Sequence, residues 1–314
     1  MPHLVDSVID TFRKHEVTPL ATTTENYCFN IVGSTKKGST LVVKVEEELE
    51  KCSIVTTREL ANISNLLDTF CLIVSREYKG KKLIEGVFYR RYGIYAVSPK
   101  TLERLLKGER IPFIYTSQGG MYVKLDFVKI RAARERRGLS LGDLAYEVGV
   151  SRKAVYEYER GKMDASPEVA IKLEEVLNED VIRKVTLDDL KSICSVPMKA
   201  SQERSQDSVL YRLKRTLEEL GFKTHIFAKT PFHIASKGVF NRQRITKIVA
   251  RHVKVANLEE KTNKLTLEVA RAMGARAFFV TDKERYVEEE DVIVVSRDDL
   301  RKDVVRELIE DFTY

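Results

Sequence analysis

A glycine at position 149 constrains this 314-residue chain more than any other single residue, because it ends one amphipathic helix just before another begins. In "LSLGDLAYEVGVSRKAVYEYERG", Leu139 to Gly161, the residues Leu141, Leu144, Ala145 and Val148 recur at three- and four-residue spacing. That spacing predicts a helix over Leu141–Val148 with one apolar face. Gly149 can close it in the left-handed conformation without a Cβ clash, and Val150 can plug the corner between two helices. Ser151 is then a good N-cap for a second helix, whose inward face is Val155 and Tyr158 with Ala154 close by. Arg152, Lys153, Tyr156 and Glu157 are left pointing outward on its first turns, the end of such a helix that meets base edges in a major groove.

The pattern Ala145, Gly149, Val155 and Tyr158, followed by Glu159-Arg160-Gly161, resembles the helix-turn-helix of the Cro/C1 and Xre group of DNA-binding proteins. Upstream, "KIRAARERRGLS" is similar to that family's first helix and its Gly-Leu-Ser entry at Gly138, Leu139 and Ser140; downstream, "ASPEVAIKLEEVLN" is similar to its fourth helix. The resemblance runs from Asp126 to Asp180. It implies an all-α domain that binds double-stranded DNA with the recognition helix Ser151–Arg160 in the major groove. The residues it places at the DNA are Arg137, Ser140, Ser151, Arg152, Lys153, Tyr156, Glu157 and Lys162. Two positions depart from the family. Leu141 stands where Gln is frequent, and Ala154 where a small polar residue is usual, which leaves fewer side chains to read bases. A helical hairpin that merely packs is the plainer reading of the same spacing.

Charge agrees with an anionic partner. The chain carries 54 Lys+Arg against 47 Asp+Glu, a net of +7, with a pI near 9.0. The location of the excess says more than its size. "KIRAARERR", Lys129 to Arg137, holds five basic residues and one acidic one, where the family's fold brings the chain close to phosphates. The bland alternative is a solvated helix face with favourable helix-end charges.

The segments on either side of this domain read alike. On the N-terminal side a helix over Val5–Lys14 leads to strands at "YCFNIVG" and "TLVVKV", the helix "RELANISNLL", strands "FCLIVSRE" and "YGIYAVS", and the helix "PKTLERLL". On the C-terminal side the helix "LYRLKRTLEELG" leads to strands "KTHIFAK", "FHIASKG" and "KIVARHVKV". The helix "LTLEVARAMG", strands "AFFVTD" and "DVIVVS", and the helix "DDLRKDVVREL" complete it. "YAVSPKTLERLL" and "VVSRDDLRKDVV" both run strand, Ser, then helix with Leu at the same offset. This spells a divergent duplication around the centre. The expected architecture is multidomain α+β: an α/β domain over 1–118, the helix-turn-helix domain over 119–181, a linker over 182–207 and a second α/β domain over 208–314.

The order helix, three strands, helix, strand resembles the core of the restriction-endonuclease-like, PD-(D/E)xK fold. Such nucleases need an Asp on one strand and Glu-x-Lys on the next, since two carboxylates hold the metal and the lysine steadies developing charge. By position these fall at Asn30 and Val42, leaving only Lys44; in the second copy His233 stands where the first carboxylate belongs. Neither copy can hold a divalent cation that way, so both are expected to be degenerate, non-catalytic scaffold. Over its whole length the chain also resembles a family of archaeal helix-turn-helix transcriptional regulators, which implies a transcription factor.

Other features are weak as sites. Cys28, Cys52, Cys71 and Cys194 lack the paired spacing of a zinc site and read as buried thiols. The five histidines are scattered, the acidic runs Glu46–Glu50 and Glu288–Asp291 read as solvated loops, and no catalytic residue, metal or cofactor is expected. With no signal peptide and no apolar run long enough to cross a bilayer, a cytoplasmic protein is expected, with no membrane partner. Three classes stay open. The first is a regulator whose flanking domains form a homodimer or bind an effector or transcription-machinery partner. The second is a metal-dependent nuclease targeted by its helix-turn-helix, and the third an antitoxin-like adaptor, whose chain is usually shorter.

Overall fold

The structure is a computed structural model that describes residues 4–15, 19–23, 26–34, 39–193, 208–240, 244–254, 259–282 and 292–311. The N-terminal unit begins with α1 (Leu4–Lys14), β1 (Pro19–Thr22), β2 (Ile31–Ser34), β3 (Thr40–Glu48), α2 (Ile54–Leu67) and β4 (Phe70–Tyr78). It continues through β5 (Lys81–Lys82), β6 (Val87–Arg91), β7 (Ile94–Val97), α3 (Pro99–Leu106), β8 (Ile111–Pro112) and β9 (Ile114–Ser117). The centre holds β10 (Gly120–Val123), α4 (Phe127–Arg136), α5 (Leu141–Val148), α6 (Arg152–Glu159) and α7 (Pro167–Leu177), followed by β11 (Lys184–Val185) and α8 (Leu187–Ile193). The C-terminal unit comprises α9 (Ser208–Glu219), β12 (Lys223–Ile226), β13 (Ile234–Phe240), β14 (Arg244–Val253), α10 (Lys261–Ala272), β15 (Arg276–Thr281), β16 (Val292–Ser296) and α11 (Lys302–Asp311).

The two α/β units share one strand plan. The first sheet runs β1-β2-β3-β4-β7 and continues through β6, β9 and β10, while the second is β12-β13-β14-β15-β16. In each of these five-strand runs, the first three strands are antiparallel and the last two pairings parallel. Both faces of each sheet are covered, which is why "LVV" and "FCLIV" read as continuous apolar runs rather than alternating ones. Along β3, Val42 faces one core while Leu41, Val43 and Val45 face another, as the two-residue strand period requires.

The units pack on each other through one helix from each, which lies between its own sheet and that of the other unit. α2 lies against β12 and β13 of the second unit, and α10 lies against β1 and β2 of the first. A single core therefore takes Phe29, Leu60 and Ile63 from one unit with Phe232, Val249 and Phe279 from the other. Polar contacts fasten the seam. The Glu59 carboxylate accepts the backbone N–H of Ala228 at 2.7 Å and of Lys229 at 2.9 Å. Lys237 Nζ donates to Asp68 at 2.5 Å and Lys247 Nζ to the Leu67 carbonyl at 2.8 Å, at the C-terminal end of α2 where a cation is favoured.

Three expectations change. The stretch 182–207 is not wholly linker: β11 pairs with β8, and Val185, Leu187 and Leu190 are buried in the outer core of the first unit with Phe12 and Leu105. The rest, from 194, lies outside the described residues. The 118/119 boundary falls in the turn of the β9–β10 hairpin, and the central domain is not purely helical, since Val123 and Leu125 sit in its core and Val123 pairs with Ala165. Glu46–Glu48 end strand β3 and Leu49–Lys51 form a 3-10 turn, so that acidic run is not a loop. Glu288–Asp291 lies outside the described residues. Among these residues no helix is long and apolar enough to cross a membrane.

Candidate nucleic-acid interface

The four helices α4–α7 close around Ile130, Leu144, Val148, Val155 and Leu173, all at most 1% exposed. Each boundary has a local cause. The Ser140 hydroxyl accepts the Asp143 N–H at 3.1 Å while the Asp143 carboxylate accepts the Ser140 N–H at 2.8 Å, a reciprocal cap that starts α5. α5 ends at Gly149, with φ +79°, where the N–H of Val150 returns to the Ala145 carbonyl at 2.9 Å. A Cβ there would meet nothing closer than 3.9 Å, so the backbone angle, not crowding, calls for glycine. Ser151 caps α6 by accepting the Ala154 N–H at 3.1 Å. Gly161 is doubly constrained: φ is +64°, and a Cβ would lie 2.9 Å from the Phe127 ring, so the loop after α6 seats directly on the start of α4.

The basic run of α4 divides sharply. Arg134 turns inward, its guanidinium donating to both Glu159 oxygens at 2.5 and 3.1 Å and to the Leu139 carbonyl at 2.9 Å. The side chains of this pair are only 13% and 8% exposed, and Glu159 holds the Arg134 pKa above its ordinary value. Arg131 pairs with Glu135 at 2.9 Å and Arg136 with Glu179 at 2.5 Å. Arg137 is exposed, and its side chain has no hydrogen-bonded or ion-paired partner among the described residues. The same holds for the side chains of Arg152, Lys153 and Lys162.

Ser140 and Ser151 are exposed at the starts of α5 and α6. Tyr156 is 46% exposed and engaged, with the Arg160 guanidinium 5.1 Å from its ring centre and donating to its hydroxyl at 3.3 Å. Glu157 is half-buried, and its carbonyl accepts the Lys162 N–H at 3.0 Å. Sequence reasoning passed over Tyr146, the most exposed large apolar side chain among the described residues at 89%, on the outer face of α5; an aromatic at an outward helical position was its only signal. It placed Arg160 at the end of the recognition helix without giving it a DNA contact.

Comparison with known proteins agrees with this geometry. Residues 130–182 match a helix-turn-helix family model, and residues 1–111 match a PD-(D/E)XK superfamily domain. A protein of Methanocaldococcus jannaschii named "Putative HTH-type transcriptional regulatory protein" is 30% identical over 98% of this chain and 95% of its own length. The chain belongs to this archaeal HTH-type transcriptional regulatory protein family. Members from Thermococcus gammatolerans and Archaeoglobus fulgidus bear the same name, at 28% identity over 98% and 29% over 95% of the chain. No solved structure matches it.

In this family member the nuclease-like positions are structurally committed. Asn30 Oδ1 accepts the Val45 N–H at 3.0 Å and its Nδ2 donates to the Thr23 carbonyl at 3.2 Å. Lys44 is 5% exposed, donating to the Tyr27 carbonyl at 3.1 Å and paired with Glu46 at 3.4 Å. In the second unit His233 Nδ1 accepts the His252 N–H at 3.1 Å, the counterpart of the Asn30 bond, and Arg251 replaces Lys44, donating to Asn263 at 2.9 Å. An amide, an isopropyl group and an imidazole turned to the backbone are no substitute for paired metal-binding carboxylates. Burial raises the pKa of Cys52 to about 11 and of Cys71 to about 12, which keeps both as thiols. Cys194 lies outside the described residues.

Proposed function

We propose that this chain is a sequence-specific, double-stranded DNA-binding transcriptional regulator of the cytoplasm that reads the major groove with α6 and has no catalytic activity of its own. One observation carries the reading. On the helical domain Arg131, Arg134 and Arg136 have acidic partners, while the side chains of Arg137, Arg152, Lys153 and Lys162 are exposed without one among the described residues. Cations left unpaired around a capped recognition helix suit phosphates and guanine acceptors. The names of the relatives favour the same reading.

Arg152 and Lys153 are assigned to base edges, Arg137, Lys162 and the Ser140 and Ser151 hydroxyls to phosphates, and Tyr156 and Glu157 to the flank of the groove. Arg152→Ala is expected to weaken operator binding by roughly 5- to 150-fold with little effect on non-specific duplex, since a good base contact is worth about 1–3 kcal/mol. Arg137→Ala should weaken all sequences alike and reduce the log–log salt slope by about one. Titrations on operator and scrambled duplexes at two salt concentrations measure both. If Arg152→Ala and Lys153→Ala each leave operator preference intact, α6 is not the reader. The reading includes a homodimer that sets two recognition helices on half-sites about one helical turn apart, so in the same titrations a single half-site should bind more weakly than a pair.

The superfamily match of residues 1–111 favours a second reading, a nuclease. With Asn30 and Val42 at the carboxylate positions, supercoiled DNA incubated with Mg²⁺ or Mn²⁺ is expected to stay intact. Cleavage that disappears in Lys44→Ala would make the nuclease the better description.

A further inference from the structure

A cavity of about 710 Å³ opens where the helical domain meets the first α/β unit. One wall is the start of α4 and the loop after α6, with Asp126, Lys129 and Gly161; the other is the β8–β11 pair with its flanks, including Arg110, Arg183 and Lys184. Lys124, leading from β10 into α4, completes a set of five cations around the cavity. Three carboxylates also line it, and each is already occupied. Asp126 caps α4 through the Lys129 N–H at 3.3 Å, Asp180 holds Lys184 at 2.6 Å, and Asp189 accepts the N–H and hydroxyl of Thr186, both at 2.8 Å. Lys124 is held by Asp164 at 3.2 Å. Lys129 Nζ donates to the Asp180 carbonyl at 3.1 Å. Arg110 and Arg183 remain, without a hydrogen-bonded acid among the described residues, although both lie close enough to Asp189 to help the Thr186 N–H hold its pKa below the usual carboxylate range. A planar guanidinium presents a fork of donors that matches phosphate oxygens two at a time, and two beside a cavity of this size suit a ligand of nucleotide size.

We propose that this cavity binds a small phosphate-bearing polyanion, which regulates DNA binding by bridging the helical domain to the α/β body. The regulatory half rests on the DNA-binding reading above; the binding half does not. Gly161 lines the cavity and Lys162 follows it, so the ligand adds negative charge beside a residue assigned to DNA phosphates and opposes the operator.

Thermal melting without DNA, at constant ionic strength, tests the binding half with tripolyphosphate as the probe. At a hundredfold excess over Kd the melting midpoint should rise by about 4 °C. In Arg110→Ala/Arg183→Ala the rise should vanish; should that variant melt before the assay begins, Arg110→Gln/Arg183→Gln serves in its place. No rise, a rise that survives the double substitution, or an equal rise from sulfate overturns the proposal. So does stoichiometric displacement of tripolyphosphate by non-operator duplex, which would make these arginines part of a DNA track. In a separate operator titration, saturating tripolyphosphate should lower affinity by about 5-fold or more. An unchanged affinity with the melting shift intact removes the regulatory half. Absence of any operator binding overturns the DNA-binding reading and leaves the melting result standing.

Discussion

Glu159→Ala is expected to leave the helical domain barely stable and to weaken operator binding, although Glu159 touches no DNA in the reading above. The carboxylate is 8% exposed and takes two donors from Arg134, itself 13% exposed. Removing one partner of a buried pair strands the other charge in a low-dielectric setting, which costs about 3–5 kcal/mol. A domain of this size holds only about 5 kcal/mol in total, so α4–α7 would be left with about 0–2 kcal/mol and a much lower melting midpoint. The matched control is Arg131→Ala, which breaks the exposed Arg131–Glu135 pair and should cost less than about 0.5 kcal/mol. Circular dichroism at the helix band, followed through a thermal ramp, reads the difference. A Glu159→Ala midpoint within about one degree of wild type would show that the pair contributes little.

Phe232→Ala should loosen both α/β units together. Phe232 is fully buried in the core the units share, with its ring 5.3 Å from that of Phe227. Truncating a buried Phe costs about 3–5 kcal/mol. Because α2 and α10 each pack on the other unit's sheet, that loss cannot stay in the unit that carries the substitution. Hydrogen exchange should speed up at β3 and β4 as much as at β13 and β14. Faster exchange confined to the C-terminal unit would mean the two cores melt independently.

What the sequence disclosed follows the range of the interactions. Ser140, Gly149, Ser151, Val155 and Tyr158 act through neighbours within about one helical turn, so their spacing alone located α5 and α6. The Arg134–Glu159 pair spans 25 residues, and "KIRAARERR" looked uniformly basic because no local signal marks which arginine turns inward. The packing of α2 and α10 between the two sheets is further out of reach, since Glu59 meets partners about 170 residues away. Two misreadings had signals that went unused. Gly119-Gly120 between "FIYTSQ" and "MYV" is hairpin chemistry, and Thr186 with Asp189 is a capping box, now seen as reciprocal bonds of 2.8 and 3.4 Å, in a segment read as linker. The residues assigned to DNA were legible as a set of mostly exposed polar positions. Which cations lack partners was not, because that depends on tertiary placement.

The shared packing of α2 and α10 also sets how the molecule behaves on dilution. Two similar units clasping each other across a shared core are what a two-subunit protein would make from separate chains, and such a protein comes apart when scarce. Here the two halves are joined through the central domain, so their meeting is a unimolecular event whose extent does not depend on copy number. The scaffold therefore stays assembled at the few molecules per cell on which a regulator often works. The arrangement also joins two units of like strand plan to one helix-turn-helix domain, so under the proposed reading a symmetric operator must draw its second recognition helix from another molecule, and concentration would govern that step alone.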